Sequence, residues 1–212
     1  FPKIPLELLP ISIDKNIFQN PSINQNSNLQ LFYGGSFASK DGIEDILQSF
    51  QSIRDKDYNC DLILTGKIDK KRKIIISSLL DSHPFKEDIK YLGFLSDEDY
   101  YKTLNSCDLH LMYRNSSNFA RTGYPFKLGE MLATSRPVIV SDLEEVSDIL
   151  CNKENCILIE PDNSSELSDQ IEFLINNKDE RVRIGDNGKK TAFEHFDSSK
   201  IKDAFLKFIK SL

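Results

Sequence analysis

Residues 29–66 read LQLFYGGSFASKDGIEDILQSFQSIRDKDYNCDLILTG. Leu29-Gln30-Leu31-Phe32-Tyr33 is a short apolar and aromatic run, the pattern of a buried strand. Past Gly34-Gly35 the period changes: Ile43, Ile46, Leu47, Phe50 and Ile53 recur at helical spacing and line one face. Asp61-Leu62-Ile63-Leu64-Thr65 is a second strand, closed by Gly66. A strand, a helix and another strand in direct succession imply parallel pairing, because the helix carries the chain back to the side from which it started.

The alternation continues. A basic helix follows Gly66 to about Ser82, and Ile89-Lys90-Tyr91-Leu92 is a third strand. Ser96 with Asp99 three residues on marks the start of a helix that runs to about Ser106. Leu109-His110-Leu111-Met112-Tyr113 is a fourth strand, and after a loop a helix spans about Pro125 to Ala133. Pro137–Ser141 and Cys156–Ile159 are the fifth and sixth strands, with a short helix between them; helices over about 164–177, 179–194 and 198–211 finish the chain. The pattern predicts an α/β fold, a Rossmann-like doubly wound parallel sheet of about six strands with helices on both faces. Right-handed crossovers put the C-terminal ends of all strands on one edge, where such sheets bind ligands. Residues 1–28, punctuated by Pro2, Pro5, Pro10 and Pro21, read as an irregular lead-in; 29–195 form the α/β domain and 196–212 a closing helix.

Composition narrows the function. At 212 residues, 39% hydrophobic and 28% charged, the chain is long enough for one soluble domain with a sizeable core. Its net charge of −6 excludes a general nucleic-acid binder but not a local basic pocket for a phosphorylated small molecule. Phe1-Pro2-Lys3-Ile4-Pro5 is neither a signal peptide nor a start with Met, so the chain reads as trimmed at its N-terminus. Cys60, Cys107, Cys151 and Cys156 lack CxxC spacing, and His83, His110 and His195 are scattered; buried reduced thiols are expected rather than a metal site. Asn115-Ser116-Ser117 and Asn163-Ser164-Ser165 read as chance matches to the glycosylation pattern.

Three loops at the ligand edge carry candidate chemistry. Gly34-Gly35-Ser36-Phe37-Ala38-Ser39-Lys40-Asp41-Gly42 combines close backbone approach, a following helix N-terminus and a full charge at Lys40, which suits a diphosphate. It is neither a GxGxxG nor a Walker loop, and a plain strand–helix turn is the structural alternative. In Arg121-Thr122-Gly123-Tyr124-Pro125-Phe126-Lys127-Leu128-Gly129-Glu130, Pro125 suits the first helical position, which puts the amides of Gly123 to Phe126 at a helix N-terminus. Lys127 there opposes the helix dipole unless an anion binds, and Glu130, on the same face, can accept two hydroxyl hydrogen bonds. A solvated Lys–Glu pair is the plainer alternative. Leu92-Gly93-Phe94-Leu95 offers backbone groups and an aromatic to a base. Two Asp-x-Asp triplets, Asp55-Lys56-Asp57 and Asp97-Glu98-Asp99, sit at helix ends, where carboxylates are ordinary dipole partners rather than metal ligands.

The succession Gly34-Gly35…Lys40-Asp41-Gly42, Leu64-Thr65-Gly66, Tyr91-Leu92-Gly93-Phe94-Leu95-Ser96 and Pro125-Phe126-Lys127-Leu128-Gly129-Glu130-Met131-Leu132-Ala133…Arg136-Pro137-Val138-Ile139 resembles the C-terminal domain of family 4 glycosyltransferases. The resemblance covers residues 29 to 195, and Pro10-Ile11-Ser12-Ile13-Asp14 falls where that family has a Pro-Asn-Gly-Val-Asp segment. It implies one half of a GT-B architecture that binds a nucleotide diphosphate sugar, a UDP-sugar, with no metal and no other cofactor. It implies Lys40 on the diphosphate, Glu130 on the ribose hydroxyls, and backbone near Gly93 and Phe94 at the base. With Lys127, these make Lys40 and Glu130 the expected catalytic-site residues. Gly34, Gly35, Ser36, Gly66, Arg121, Thr122, Gly123, Tyr124, Pro125, Phe126 and Leu128 are further expected substrate contacts. Ser36 departs from a basic residue common in the family, and Thr122 from a second Glu that often touches the donor sugar; Pro125-x-Lys127-x-x-Glu130 is similar to some bacterial members, with Lys127 supplying phosphate charge.

The activity implied is retaining hexosyl transfer to a carbohydrate or lipid-linked acceptor, in bacterial surface polysaccharide assembly. The chain alone is then an inactive fragment lacking its acceptor-binding N-terminal half. Its setting is the cytoplasm, at the inner face of the membrane, with peripheral membrane association through that half. A sugar-nucleotide 2-epimerase of GT-B architecture and a non-catalytic nucleotide-binding module are the alternatives.

Overall fold

The computed structural model describes residues 11–19, 28–121, 125–143 and 148–211. Six strands, β1 (Leu29–Gly34), β2 (Cys60–Thr65), β3 (Ile89–Tyr91), β4 (Leu109–Met112), β5 (Val138–Ser141) and β6 (Ile157–Ile159), form one sheet in the order β3-β2-β1-β4-β5-β6. Every pairing is parallel. The chain builds outward from β1 to β3, then returns to the other side of β1 for β4 to β6. The strand order therefore reverses between β1 and β4, and a crevice opens at that point.

Period-two alternation divides the central strands between two cores. Leu31, Tyr33, Leu62, Leu64, Leu109 and Leu111 face α1 (Ile43–Arg54) and α6 (Ser164–Asn176). Phe32, Ile63, Val138 and Val140 face the opposite way, toward α3 (Asp97–Ser106), α5 (Leu128–Ala133) and α7 (Lys178–His195). The remaining helices are α2 (Lys73–Ser82), α4 (Asn118–Arg121) and α8 (Ser198–Ser211). Ser96 caps α3 by accepting the amide of Asp99 at 3.2 Å, as its spacing predicts.

Four expectations need correction. The helix predicted from Pro125 begins at Leu128; residues 125–127 form a turn closed by the Leu128 amide on the Pro125 carbonyl at 2.9 Å. Residues 118–121 make the short α4, too brief for periodicity to announce. Part of the lead-in is not separate from the domain: Ile13 and Phe18 are buried, and Ile13 bonds the chain at Phe196 (2.8 Å) and Ser198 (3.0 Å). Of the four cysteines, Cys60, Cys107 and Cys156 are buried, their thiols pushed up to about 12 by burial, but Cys151 is exposed. The short helix expected between the fifth and sixth strands falls largely on 144–147, outside the described residues.

Candidate functional site

A cleft of about 600 Å³ opens at the C-terminal ends of the strands, over the β1–β4 crevice. Its floor depends on two loops that touch. Gly66, with φ +139, brings its Cα so close to Gly35 that an added Cβ would lie 1.8 Å from the Gly35 carbonyl oxygen. The Gly35 amide donates to Thr65 O (3.0 Å), while Gly93 O accepts from the Gly66 amide (2.9 Å) and the Thr65 hydroxyl (2.7 Å). Gly93 thus ties the β2 and β3 loops together and does not itself line the cleft.

The loop after β1 is folded by a carboxylate. Asp41, buried, accepts from the Ser36 hydroxyl at 2.7 Å and the Ala38 amide at 3.1 Å. Lys40 projects from the 3-10 turn Ser39–Asp41 with its ammonium 5.0 Å from the centre of the Phe119 ring. Beneath Gly35 lies the Tyr33 hydroxyl, buried and without a hydrogen bond of good geometry. Burial, then the Asp41 carboxylate, raises the Tyr33 phenol well above its usual range, so it is a neutral donor.

The opposite wall comes from α3 and α5. Glu130 Oε2 accepts from Tyr100 Oη and Oε1 from Tyr101 Oη, each at 3.0 Å. Tyr100 packs edge-on against Phe32 (6.1 Å) and Tyr101 (5.3 Å), and Tyr101 against Phe18 (5.7 Å). Lys127 Nζ stands 4.9 Å from the centre of the Tyr100 ring and forms no ion pair among the described residues. Burial lowers the Lys127 ammonium's pKa, opposed by the Glu130 and Asp41 carboxylates. Lys127 and Glu130 are therefore not a solvated surface pair; both line the cleft.

Of the residues singled out in the sequence, Gly34, Gly35, Ser36, Lys40, Gly66, Phe94, Phe126, Lys127 and Glu130 meet in this one cleft. Leu128 is a core residue instead, packed with Met131 and Leu132, because it faces the sheet from α5. Pro125 is buried outside the cleft wall, and Arg121 is exposed on α4, donating to Ser116 O at 3.2 Å. Thr122, Gly123 and Tyr124 lie outside the described residues. Sequence reading missed Tyr33, Tyr100, Tyr101 and Arg114, all on the cleft. Arg114 lies two residues past the end of β4, so the rule that ligands gather where strand order reverses would have found it once that order was known. The tyrosines carry no such signal; they read as helix and strand apolar positions. Among the described residues no three His, Cys, Asp or Glu side chains gather as a metal site, and Asp99 accepts the Ser96 hydroxyl at 2.8 Å.

The family described as "Glycosyl transferases group 1" matches residues 14–191. An uncharacterized glycosyltransferase of Methanocaldococcus jannaschii is 28% identical over 177 residues, 84% of this chain and 46% of its own. The capsular polysaccharide biosynthesis glycosyltransferase CapM of Staphylococcus aureus is 26% identical over 177 residues, 82% of this chain and 43% of its own. The chain thus spans about half the length of these curated relatives. Anabaena HepE, solved in complex with UDP and glucose, superposes with a TM-score of 0.83 at 16% identity, covering 97% of this chain and 57% of that one. The match over most of the sequence, on the sheet and cleft just described, places the chain in the group 1 glycosyltransferases, as one half of a GT-B architecture.

Proposed function

We propose that this chain is the donor half of a metal-independent, retaining glycosyltransferase, and that its cleft holds a nucleoside diphosphate sugar, specifically a UDP-sugar. The observation that carries the reading is the polarity of the cleft. Lys40 and Lys127, neither of them in an ion pair among the described residues, stand over it, and a carboxylate, Glu130, is presented on one wall. The Gly34–Ser36 backbone and the two lysines would take the diphosphate, Glu130 the ribose, and the exposed Phe94 ring the base. Charge that builds on the departing diphosphate would meet fixed cations and amides, the electrostatic part of catalysis.

The acceptor and its site belong to a second half, as the length of the relatives supports; a carbohydrate or lipid-linked acceptor in surface polysaccharide assembly fits the role of CapM in capsular polysaccharide biosynthesis. No helix among the described residues is long and apolar enough to cross a membrane, and we assign any contact with the inner membrane face to that second half, in the cytoplasm. Family membership favours transfer over the epimerase or a non-catalytic module.

Diphosphate recognition is tested by thermal shift. UDP at a hundred times its Kd should stabilise the chain by about 2.7 kcal/mol, and UMP at the same concentration clearly less. Equal shifts with both, or none, would sink the assignment.

A further inference from the structure

One carboxylate is paired with two consecutive tyrosines. Glu130 already sits on α5, whose Leu128, Met131 and Leu132 fill the core. Yet each of its oxygens accepts one phenolic hydrogen at 3.0 Å. A carboxylate offers about four acceptor sites, so each oxygen keeps one for a ligand. Both donors are fixed: Tyr100 by Phe32 and Tyr101 by Phe18, edge to face, and each by the other. Both remain protonated near neutral pH, since burial first and Glu130 second push Tyr101 up to about 12 and Tyr100 further in the same direction.

We infer that Tyr100 and Tyr101 are positioning residues that set the Glu130 carboxylate to read a vicinal diol, so that the cleft selects a ribonucleotide over its 2′-deoxy counterpart. With one acceptor site on each oxygen engaged, the carboxylate cannot swivel to satisfy itself on a single hydroxyl. The two remaining sites lie side by side, as the two hydroxyls of a ribose do. A ligand lacking the 2′-hydroxyl leaves one charged acceptor unpaired on a half-buried wall, and a site built to bond a hydroxyl rejects the analogue that lacks it. Lys127, 4.9 Å from the Tyr100 ring centre, joins the same clamp and ties the ribose end to the diphosphate end.

The inference rests on the donor reading, and the test separates the two. UDP and 2′-deoxy-UDP are titrated calorimetrically into the wild-type chain, Tyr100→Phe, Tyr101→Phe and the double variant, with melting temperatures recorded alongside. The wild type should prefer UDP by about tenfold or more. The single variants should lose part of that preference, and the double variant should bind both ligands within about threefold, with the rings and their packing kept. A merely structural role would lower the melting temperature and leave the ratio unchanged. An unchanged ratio in folded variants, or a wild type that binds both nucleotides equally, overturns the clamp and leaves the donor reading standing. A wild type that binds neither overturns both. Should Tyr100→Phe or the double variant not fold, Tyr101→Phe decides alone: an unchanged ratio overturns the clamp and a reduced one supports it.

Discussion

His110 shows what a single residue can disclose. It lies in β4, fully buried, and its Nε2 is 3.0 Å from the Thr134 hydroxyl. That hydroxyl gives its own hydrogen to Met131 O at 2.7 Å, so Nε2 is the donor and Nδ1 carries the lone pair, with no hydrogen-bond partner among the described residues. Burial, then the charge of Arg136, pulls its pKa down from 6.5 to about 3. A base whose folded pKa is depressed gives full stability above its unfolded value, and loses it as pH falls from about 6.5 toward about 3. The loss should reach about 2 kcal/mol at pH 5. Chemical denaturation of the wild type against His110→Gln between pH 7 and 4 checks this: the variant's stability should fall less steeply, and parallel curves would contradict it. None of this was legible in the sequence, where His110 reads only as one residue of an apolar strand. Lys40 and Lys127 were legible, because a cation in a glycine-bearing loop or at a helix start is unexpected without an anion, and Glu130 was legible because its spacing puts it on the same helix face as Lys127. Tyr100 and Tyr101 were hidden, since a tyrosine on an amphipathic helix looks like core until its hydroxyl partner is known.

Between elements, the glycine contacts decide whether the cleft forms. Gly66→Ala would force a side chain to φ +139 and drive its Cβ to 1.8 Å from the Gly35 carbonyl, a backbone atom that has no rotamer to escape into. Gly93, at φ +69, has nothing within 4 Å of an added Cβ, so alanine there meets strain alone. Gly66→Ala should therefore cost at least about 2 kcal/mol, roughly 4–8 °C in melting temperature, and Gly93→Ala about 1 kcal/mol. Calorimetric melting of the two variants checks the order, and equal losses would mean the loops do not meet at Gly66. Element existence was readable because both periods are local: β1, α1 and β2 lie where the apolar spacing of 29–65 puts them. The exact start of α5 was not, because Pro125 fits a turn as well as a first helical position. Strand order was not either. Which side of β1 receives β4 depends on where helices pack on the finished sheet, and no short window of sequence carries that.

At the scale of the molecule, the described walls of the cleft all belong to one sheet domain. The cleft is walled by the strand-end loops with α3 and α5. The exposed Phe94 (81%) and Phe126 (68%) rings stand at its margin, open to water. On the donor reading proposed above, a sugar held there has its diphosphate on Lys40 and Lys127, while its anomeric carbon faces solvent and meets no acceptor hydroxyl from the described walls. Aligning two reactants supplies about 7–11 kcal/mol of barrier lowering in well-oriented systems, and excluding water protects the bound donor from hydrolysis. The chain by itself should therefore bind donor and turn it over at most slowly, by hydrolysis. The full-length protein, carrying whatever sequence adjoins this chain, should transfer sugar with a rate higher by several orders of magnitude. The measurement is product formation from a UDP-sugar, with and without a saccharide or lipid-linked acceptor, by this chain and by the full-length protein under the same conditions. Acceptor-dependent transfer by the isolated chain at the full-length rate would show that one sheet suffices. Acceptor-dependent transfer confined to the longer protein, with nucleotide affinity equal in both, would locate donor binding in this half and alignment in the other.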